Sequence, residues 1–172
     1  MKKNTAIFLV AVIAQVLILV GVPARKAFTR VTGREVVLKV APVDPYSILS
    51  GYYVILDYDI SRPADFANAP KFESGEVIYA IVEQQAEGLW KPVGIERALP
   101  KNLPANRIAI RGRWDEWRIK YGIEEFYIPE EKRTVIAEDL SQHQAEARVN
   151  VKVDASGNAA LVRLRIQDRV YE

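Results

Sequence analysis

A long stretch without charge at the N terminus constrains this chain more than any other feature. Residues 4–24 contain no charged side chain, and Lys2 and Lys3 precede them. A helix of this length covers roughly 30 Å, the thickness of a bilayer's hydrocarbon core. The stretch is longer than the apolar region of a cleaved signal, and residues 22–24, followed by Arg25, make a poor cleavage site. We therefore predict an uncleaved single-pass membrane anchor; the alternative is a cleaved signal on a secreted protein.

Basic residues on both sides of the stretch bear on its orientation. Lys2 and Lys3 favour a cytoplasmic N terminus, whereas the four basic residues within 25–34 oppose it by the positive-inside rule. A short basic start followed by an apolar run is typical of an export signal. We expect the C-terminal domain to lie outside the cytoplasm, in a periplasm or lumen.

The remaining chain has the size of one ordinary domain. We divide the sequence into an anchor, residues 1–24, a juxtamembrane stalk, residues 25–34, and a domain, residues 35–172. Continuation of the helix through Arg25 to Arg30 is an alternative to the stalk.

The composition of the domain narrows the classes of partner and cofactor. All 22 acidic residues lie beyond residue 24, as do all but two of the 24 basic ones, so the domain is formally neutral. A neutral domain without a nucleic-acid-binding motif gives no reason to expect a nucleic-acid partner. The absence of cysteine excludes disulfides and thiolate catalysis, and the single His143 excludes a histidine-rich metal site. We expect no cofactor.

Apolar residues recur mostly with a period of two, which indicates strands. The predicted strands are 35–40, 52–60, 76–84, 89–98, 107–114, 118–128, 147–154 and 159–167. Strand 76–84 is nearly all apolar and is therefore predicted to be central. The last two strands form a hairpin around residues 155–158. The predicted inner faces of this hairpin are Ala147, Val149, Val151 and Val153 on one strand and Ala160, Val162, Leu164 and Ile166 on the other.

One helix is predicted in the C-terminal half, from Pro129 to about Gln144, because proline and acidic residues suit a first turn. Its predicted inner face is Val135, Ile136, Leu140 and His143. The predicted fold class is therefore α+β and β-rich. We expect one N-terminal transmembrane helix followed by a mixed or antiparallel sheet or partly open barrel.

Two stretches of the chain resemble the GDYxxLxY family. Residues 51–58, GYYVILDY, resemble the family's signature, and the lead-in PVDP at 42–45 precedes them. Residues 121–130, YGIEEFYIPE, are similar to the family's other recurring stretch. One position departs from the signature, because its Asp is Tyr52 here.

The resemblance implies a bacterial protein with one N-terminal membrane segment and an extracytoplasmic domain. It further implies an accessory part beside a polytopic membrane protein. The signature also has a purely structural interpretation, in which Gly51 allows a tight entry into the strand and Tyr53, Leu56 and Tyr58 fill a half-buried sheet surface.

Three chemical alternatives accompany the structural interpretation. Asp44, Asp57 and Asp59 could bind calcium, although no glycine-bearing calcium loop accompanies them. The basic and aromatic segment 107–120 could bind anionic lipid or glycan, or it could be a hairpin with solvated arginines. A serine with a lysine base would make an envelope hydrolase such as a peptidase, but no serine lies in a recognisable signature.

The candidate binding residues are Asp44, Gly51, Tyr53, Asp57, Tyr58, Arg111, Arg113, Trp114, Trp117, Tyr121, Glu124 and Glu130. We assign no catalytic residue. The sequence favours a membrane-anchored, non-catalytic accessory or binding protein with a membrane-protein partner. An envelope hydrolase and a lipid- or glycan-binding domain are the alternatives.

Overall fold

A long N-terminal helix leads into a strand-rich body in the computed structural model. The structure describes residues 2–41, 49–50, 53–63, 66 and 71–172. Helix α1 spans Lys2–Thr32 and is the one described helix that is long and apolar enough to cross a membrane. The most apolar part of α1 is not buried by any other part of the described structure. The predicted α+β, strand-rich class with an N-terminal apolar helix is confirmed.

The segment predicted as a stalk, residues 25–34, is not extended. Helix α1 continues through it to Thr32, and strand β1, Arg34–Ala41, begins two residues later. The alternative of a continuing helix is therefore what the structure shows. Gly33 makes the short corner possible, because an added Cβ would lie 2.5 Å from the Thr29 carbonyl oxygen and 2.8 Å from the Val153 nitrogen.

The described body contains twelve strands in three antiparallel sheets and one further α-helix. After β1, the elements are β2 Leu49–Ser50, β3 Tyr53–Ile55, β4 Asp57–Tyr58, β5 Val77–Gln84, β6 Trp90–Glu96, β7 Arg107–Asp115, β8 Arg118–Lys120, β9 Glu125–Tyr127, α2 Arg133–His143, β10 Arg148–Val153, β11 Ala159–Ile166 and β12 Arg169–Tyr171. The strand orders are β12-β11-β10-β1-β4, β2-β3-β9 and β6-β5-β7-β8. One sheet curves into half a barrel.

All three sheets contribute to one hydrophobic core. Alternate residues of β1 point inward, and Val36, Leu38 and Val40 are all buried. Strand β5 lies between β6 and β7, so its predicted central position is confirmed. Its fully buried residues Ile78 and Ala80 explain the nearly continuous apolar sequence.

The predicted strand 52–60 is interrupted, which corrects the sequence analysis. Strand β3 pairs with β9 and β4 pairs with β1, and a 3-10 turn, Asp59–Ser61, follows. The chain bends because it passes from one sheet to another between β3 and β4. Alternate residues of the described part nevertheless share one buried face, because Val54, Leu56, Tyr58 and Ile60 are all buried.

The predicted strand 118–128 is also two strands, β8 and β9, which belong to different sheets. Gly122, with a φ of +76°, lies between them. This backbone conformation suits glycine and ends a regular strand. Residues 121–124 therefore form a turn that carries the chain between the two sheets.

The predicted inner face of β11 is wrong in its first half. The register shifts so that Asn150 lies opposite Arg163 and Val151 lies opposite Leu161, which leaves Val162 as an extra residue. This bulge reverses the faces on either side of it. Ala159 and Leu161 pack on the core with the correctly predicted Leu164 and Ile166. Val162 is half-buried, and Ala160, although buried, lies outside the core cluster.

Helix α2 is confirmed, but one residue of its predicted inner face is wrong. Ile136 and Leu140 are buried one turn apart, whereas Val135 is exposed. Val135 precedes Ile136 by about 100° around the helix and so falls outside the narrow buried face. His143 is half-buried at the end of the helix.

Candidate functional site

The last turns of α1 are fixed to the turn that joins β10 and β11. Thr29 is 1% exposed, and its hydroxyl donates to Asp154 Oδ2 at 2.7 Å. One turn earlier, Arg25 Nη2 donates to Asn158 Oδ1 at 3.2 Å. Together with the close approach at Gly33, these contacts hold the C-terminal end of α1 against the body. We call this contact the helix clamp; its residues are Arg25, Thr29, Gly33, Asp154 and Asn158.

Asp154 organises the turn from within. Its Oδ1 accepts hydrogen bonds from the Ser156 nitrogen at 2.9 Å and the Asn158 nitrogen at 3.0 Å. Burial opposes its charge, but the hydrogen bonds from Thr29 and Asn158 hold the pKa of Asp154 below its ordinary value. The carboxylate is therefore ionised at neutral pH and committed to the clamp.

The same turn also contacts the four-stranded sheet. Gly157 has a φ of +82°, and its carbonyl accepts a hydrogen bond from the Arg111 nitrogen at 2.7 Å. An added Cβ at Gly157 would lie 3.1 Å from the Ala109 carbonyl oxygen. The turn thus joins α1, the β10–β11 hairpin and β7 at one point.

Lys26 lines two clefts that open beside the helix clamp. The larger, which we call the β9 cleft, has a volume of about 380 Å³ and the smaller, the Arg111 cleft, about 190 Å³. Residues lining the β9 cleft are Lys26, Arg30, Gly122, Ile123, Glu125, Phe126, Tyr127, Ala160, Leu161, Val162 and Glu172. Residues lining the Arg111 cleft are Arg25, Lys26, Thr29, Arg111, Tyr121, Gly122, Asn158 and Ala159.

The two stretches singled out in the sequence meet in space, and residues of the second, 121–130, line both clefts. Strand β3 from the first stretch pairs with β9 from the second. The Leu56 nitrogen donates to the Glu124 carbonyl oxygen at 2.7 Å. The two stretches therefore belong to one structural unit.

Two buried tyrosines lock this unit. The Tyr58 hydroxyl donates to the Ile123 carbonyl oxygen, and the Tyr121 hydroxyl donates to the Ile60 carbonyl oxygen, each at 2.5 Å. Burial, and then the negative charge of Glu124, raises the pKa of both tyrosines well above the ordinary value. Both hydroxyls stay protonated, and Tyr121 also lines the Arg111 cleft.

Glu124 and Tyr53 also have identifiable structural contacts. The Glu124 carboxylate accepts hydrogen bonds from the Tyr121 nitrogen at 2.5 Å and the Gly122 nitrogen at 2.9 Å, which closes the turn. The Tyr53 ring lies 5.8 Å from the Tyr127 ring. Tyr127 is 69% exposed at the edge of the β9 cleft.

The predicted carboxylate site is only partly described. Asp44 and Gly51 lie outside the described residues. Asp57 is half-buried, 3.9 Å from both Arg62 and Arg118, and its Oδ1 has no hydrogen-bond partner in the described part of the chain. Within the described ranges, no cluster of three or more acidic or histidine residues could hold a metal ion.

The basic and aromatic segment 107–120 does not form a single patch. Several of its cations have neighbouring acidic partners: Arg107 with Glu83, Arg118 with Asp57 and Lys120 with Asp115. Arg113 instead donates to the Gly75 carbonyl oxygen at 3.0 Å. Of the predicted site residues in this segment, Arg111 lines a cleft beside α1.

The remaining predicted site residues lie apart from the clefts' lining. Trp114 is half-buried, with its ring 5.9 Å from Phe72. Trp117 is 81% exposed in the turn between β7 and β8, and Glu130 is exposed in the 3-10 turn before α2. The structure thus brings Tyr58, Tyr121, Glu124 and Arg111 together, but not the whole predicted set.

The hydrolase alternative requires a serine beside a lysine base, and four serines have described side chains. Ser61 is fully buried, and its hydroxyl has no hydrogen-bond partner among the described residues. Ser141 donates to the Glu138 carbonyl oxygen at 2.8 Å. Ser74 and Ser156 are exposed. Among these four serines, no hydrogen bond to a lysine is present.

The sequence analysis missed the residues of the helix clamp. The sequence interpretation places Thr29 in the stalk, Asp154 at the end of the predicted strand 147–154 and Asn158 in the hairpin turn. An Asp followed by small residues and an Asn is a pattern for a turn in which the carboxylate caps main-chain nitrogens. No sequence pattern connects this turn with Thr29, because that contact spans most of the chain.

Comparison with known families gives one match over most of the chain. A family model described as "GDYXXLXY protein" matches residues 15–164, from within α1 to within β11. The match therefore includes the helix clamp together with both paired stretches. No curated protein and no solved structure matches the chain.

Proposed function

The chain belongs to the GDYXXLXY family, and from that premise we propose that it is a membrane-tethered, non-catalytic accessory module that binds a membrane-protein partner. The observation that carries the proposal is the helix clamp. A domain on a flexible stalk could search a large volume, whereas this domain is held by its own anchor helix. It therefore presents the same surface to the plane of the membrane.

The length of α1 sets the height of that surface. The uncharged run ends at Ala24, and Thr29 lies five residues later, about 7.5 Å along a helix. The polar headgroup layer on each side of a bilayer is roughly 5–8 Å thick. If the uncharged run fills the hydrocarbon core, both clefts open at the level of the headgroups. A partner that reaches them must itself lie in or on the membrane.

Exposed apolar side chains favour a protein partner at this level. Phe28 and Val31 on α1 are 64% and 84% exposed, although they lie beyond the uncharged run. Tyr127 at the rim of the β9 cleft is also exposed. Exposed aromatic and apolar groups of this kind are typical of the centres of protein interfaces.

We propose the periplasm, or another compartment outside the cytoplasm, as the location of the domain. The support is the short basic start of the chain and the bacterial proteins that the family implies. A reporter fused to the C terminus, active only after export, tests this orientation. An inactive reporter, together with activity of a second C-terminal reporter that works only in the cytoplasm, would reverse the topology without affecting the clamp.

The partner is tested by affinity capture of the full chain from detergent-solubilised membranes, followed by mass spectrometry. We expect an integral membrane protein to be recovered with the wild type and to be depleted at least fivefold with Tyr127→Ala. Trp117→Ala is the matched control, because it removes an aromatic side chain that is even more exposed than Tyr127 and lies outside both clefts. Equal recovery with Tyr127→Ala and wild type, or capture of no membrane protein, would contradict the proposal.

A further inference from the structure

Three cations from distant parts of the chain converge on the Arg111 cleft. Arg25 and Lys26 come from α1 and Arg111 comes from β7, and all three line the same space of about 190 Å³. We propose that this cleft binds the phosphate of an anionic phospholipid headgroup. The inference goes beyond the proposed protein partner, although it rests on the same placement of α1 in a membrane.

The three cations lack a negative partner. In the described part of the chain, no carboxylate oxygen lies within 4.0 Å of the side-chain nitrogens of Arg25, Lys26 or Arg111. Arg25 donates to the neutral amide of Asn158, and Lys26 donates to the Gly122 carbonyl oxygen at 3.3 Å. The three positive charges repel one another, and an anion bound between them would reduce this repulsion.

Two carboxylates neighbour the cleft, but neither lines it or forms an ion pair with its cations in the described part of the chain. Asp154 is turned toward Thr29 and toward the nitrogens of its own turn. Glu124 accepts hydrogen bonds from the nitrogens of Tyr121 and Gly122. The three cations outnumber these two carboxylates, so the cleft keeps a net positive charge.

The position of the cleft along α1 selects a lipid rather than a free anion. Arg25 directly follows the last residue of the uncharged run, so its side chain lies where the bilayer's hydrocarbon ends and its phosphates begin. Arginine side chains reach phosphate oxygens with paired N–H donors, and a flexible lysine adds a point charge. Asn158 contributes a polar side chain at the same rim.

Arg111 makes this cleft a specific lipid site, whereas basic residues at a helix end alone are attracted to any anionic membrane surface. Arg25 and Lys26 alone would provide the ordinary basic flank of a transmembrane helix. Arg111 is brought beside them by the bond between its own nitrogen and the Gly157 carbonyl oxygen. The fold thus places a cation from a sheet at the headgroup level.

The test uses the full chain in mild detergent with equal amounts of phosphatidylglycerol and phosphatidylcholine, and native mass spectrometry counts the bound lipid. We expect the wild type to retain phosphatidylglycerol about tenfold over phosphatidylcholine. Arg111→Gln should lower that ratio roughly five- to tenfold, the effect of one charge-assisted hydrogen bond at a partly exposed site. Arg111→Lys should restore part of the preference.

Arg113→Gln is the matched control, because it removes the same charge two residues along the same strand and outside the cleft. It should leave the ratio within twofold of wild type. An equal loss with Arg113→Gln, or no loss with Arg111→Gln, would overturn the proposal. A second arm adds inorganic phosphate at millimolar concentration, and complete displacement of the lipid by it would identify a free-anion site instead. The lipid experiment contains no protein partner. Its failure would therefore leave the proposed membrane-protein partner standing, and failure of the capture experiment would leave lipid binding standing.

Discussion

Replacing Thr29 by valine should loosen the anchor helix from the body without changing the shape of the side chain. Valine keeps the branched shape of threonine but has no hydroxyl to donate to Asp154 Oδ2 at 2.7 Å. Thr29 is almost completely buried, so water cannot replace the lost donor. The Thr29 hydroxyl also lies 3.1 Å from the Arg25 carbonyl oxygen within its own helix. A comparison with Thr32→Val, which removes a contact of the same kind, isolates the bond to Asp154.

The expected magnitude follows from the charge of the acceptor. Hydrogen bonds to charged groups contribute about 1.5–3 kcal/mol. Asp154 keeps the donors of Asn158 and is only half-buried, so we expect the low end, about 1.5–2 kcal/mol. A double-mutant cycle of Thr29→Val with Asp154→Asn should show a coupling energy of at least 1 kcal/mol, the size typical of residues in direct contact.

The assay is urea unfolding of the full chain in detergent, followed by tryptophan fluorescence. All three tryptophans lie outside α1, so the signal reports the body. Thr32→Val is the matched control, because the exposed Thr32 hydroxyl bonds only the Phe28 carbonyl oxygen within its own helix. It should change the free energy of unfolding by less than about 0.5 kcal/mol, as exposed substitutions usually do.

Acid should reduce the difference between wild type and Thr29→Val. The folded pKa of Asp154 is lowered, so the stability that its charge contributes is fully present above the unfolded pKa of about 3.9. It is lost as the pH falls through the lower folded value. A difference that stays constant between pH 7 and pH 2.5, or a coupling energy near zero at pH 7, would refute the role given to this bond.

Three further substitutions test other parts of the fold by the same unfolding assay. Gly33→Ala should cost about 1–3 kcal/mol, because its Cβ would overlap the Thr29 carbonyl oxygen; a neutral effect would show that the corner can open freely. Tyr58→Phe should cost about 1–3 kcal/mol, because it leaves the buried Ile123 carbonyl oxygen without its donor; an unchanged midpoint would contradict this. Trp117→Ala should remain within about 0.5 kcal/mol of wild type, since its side chain is exposed, and a larger loss would reveal a packing role.

Local patterns were sufficient to predict the regular strands and both helices. Strand β5 and the β10–β11 hairpin follow from runs of apolar residues and turn residues, which act over a few neighbours. The bulge at Val162 could not be predicted, because it depends on which residue of β10 lies opposite. The interruption after β3 depends in the same way on a change of sheet.

The candidate site was harder to predict than the fold. The two stretches at 51–58 and 121–130 were identified, but their pairing through Leu56 and Glu124 is a contact between distant segments. Arg111 was named within a basic segment whose other cations mostly have acidic partners. Only the three-dimensional structure separates Arg111 from them, because charge pairing is decided across strands and not along the sequence.

The fixed position of the body on its anchor is tested most directly by a distance measured in a lipid bilayer. The chain has no cysteine, so spin labels can be attached at Ile13→Cys in α1 and Ala155→Cys in the β10–β11 turn alone. Ile13 lies sixteen residues before Thr29, about 24 Å along the helix, which suits a dipolar distance measurement. In nanodiscs, the helix clamp predicts a single narrow distance distribution that broadens with Thr29→Val. A distribution in the unmodified background as broad as that of a flexible tether would contradict a body held in one place at the membrane.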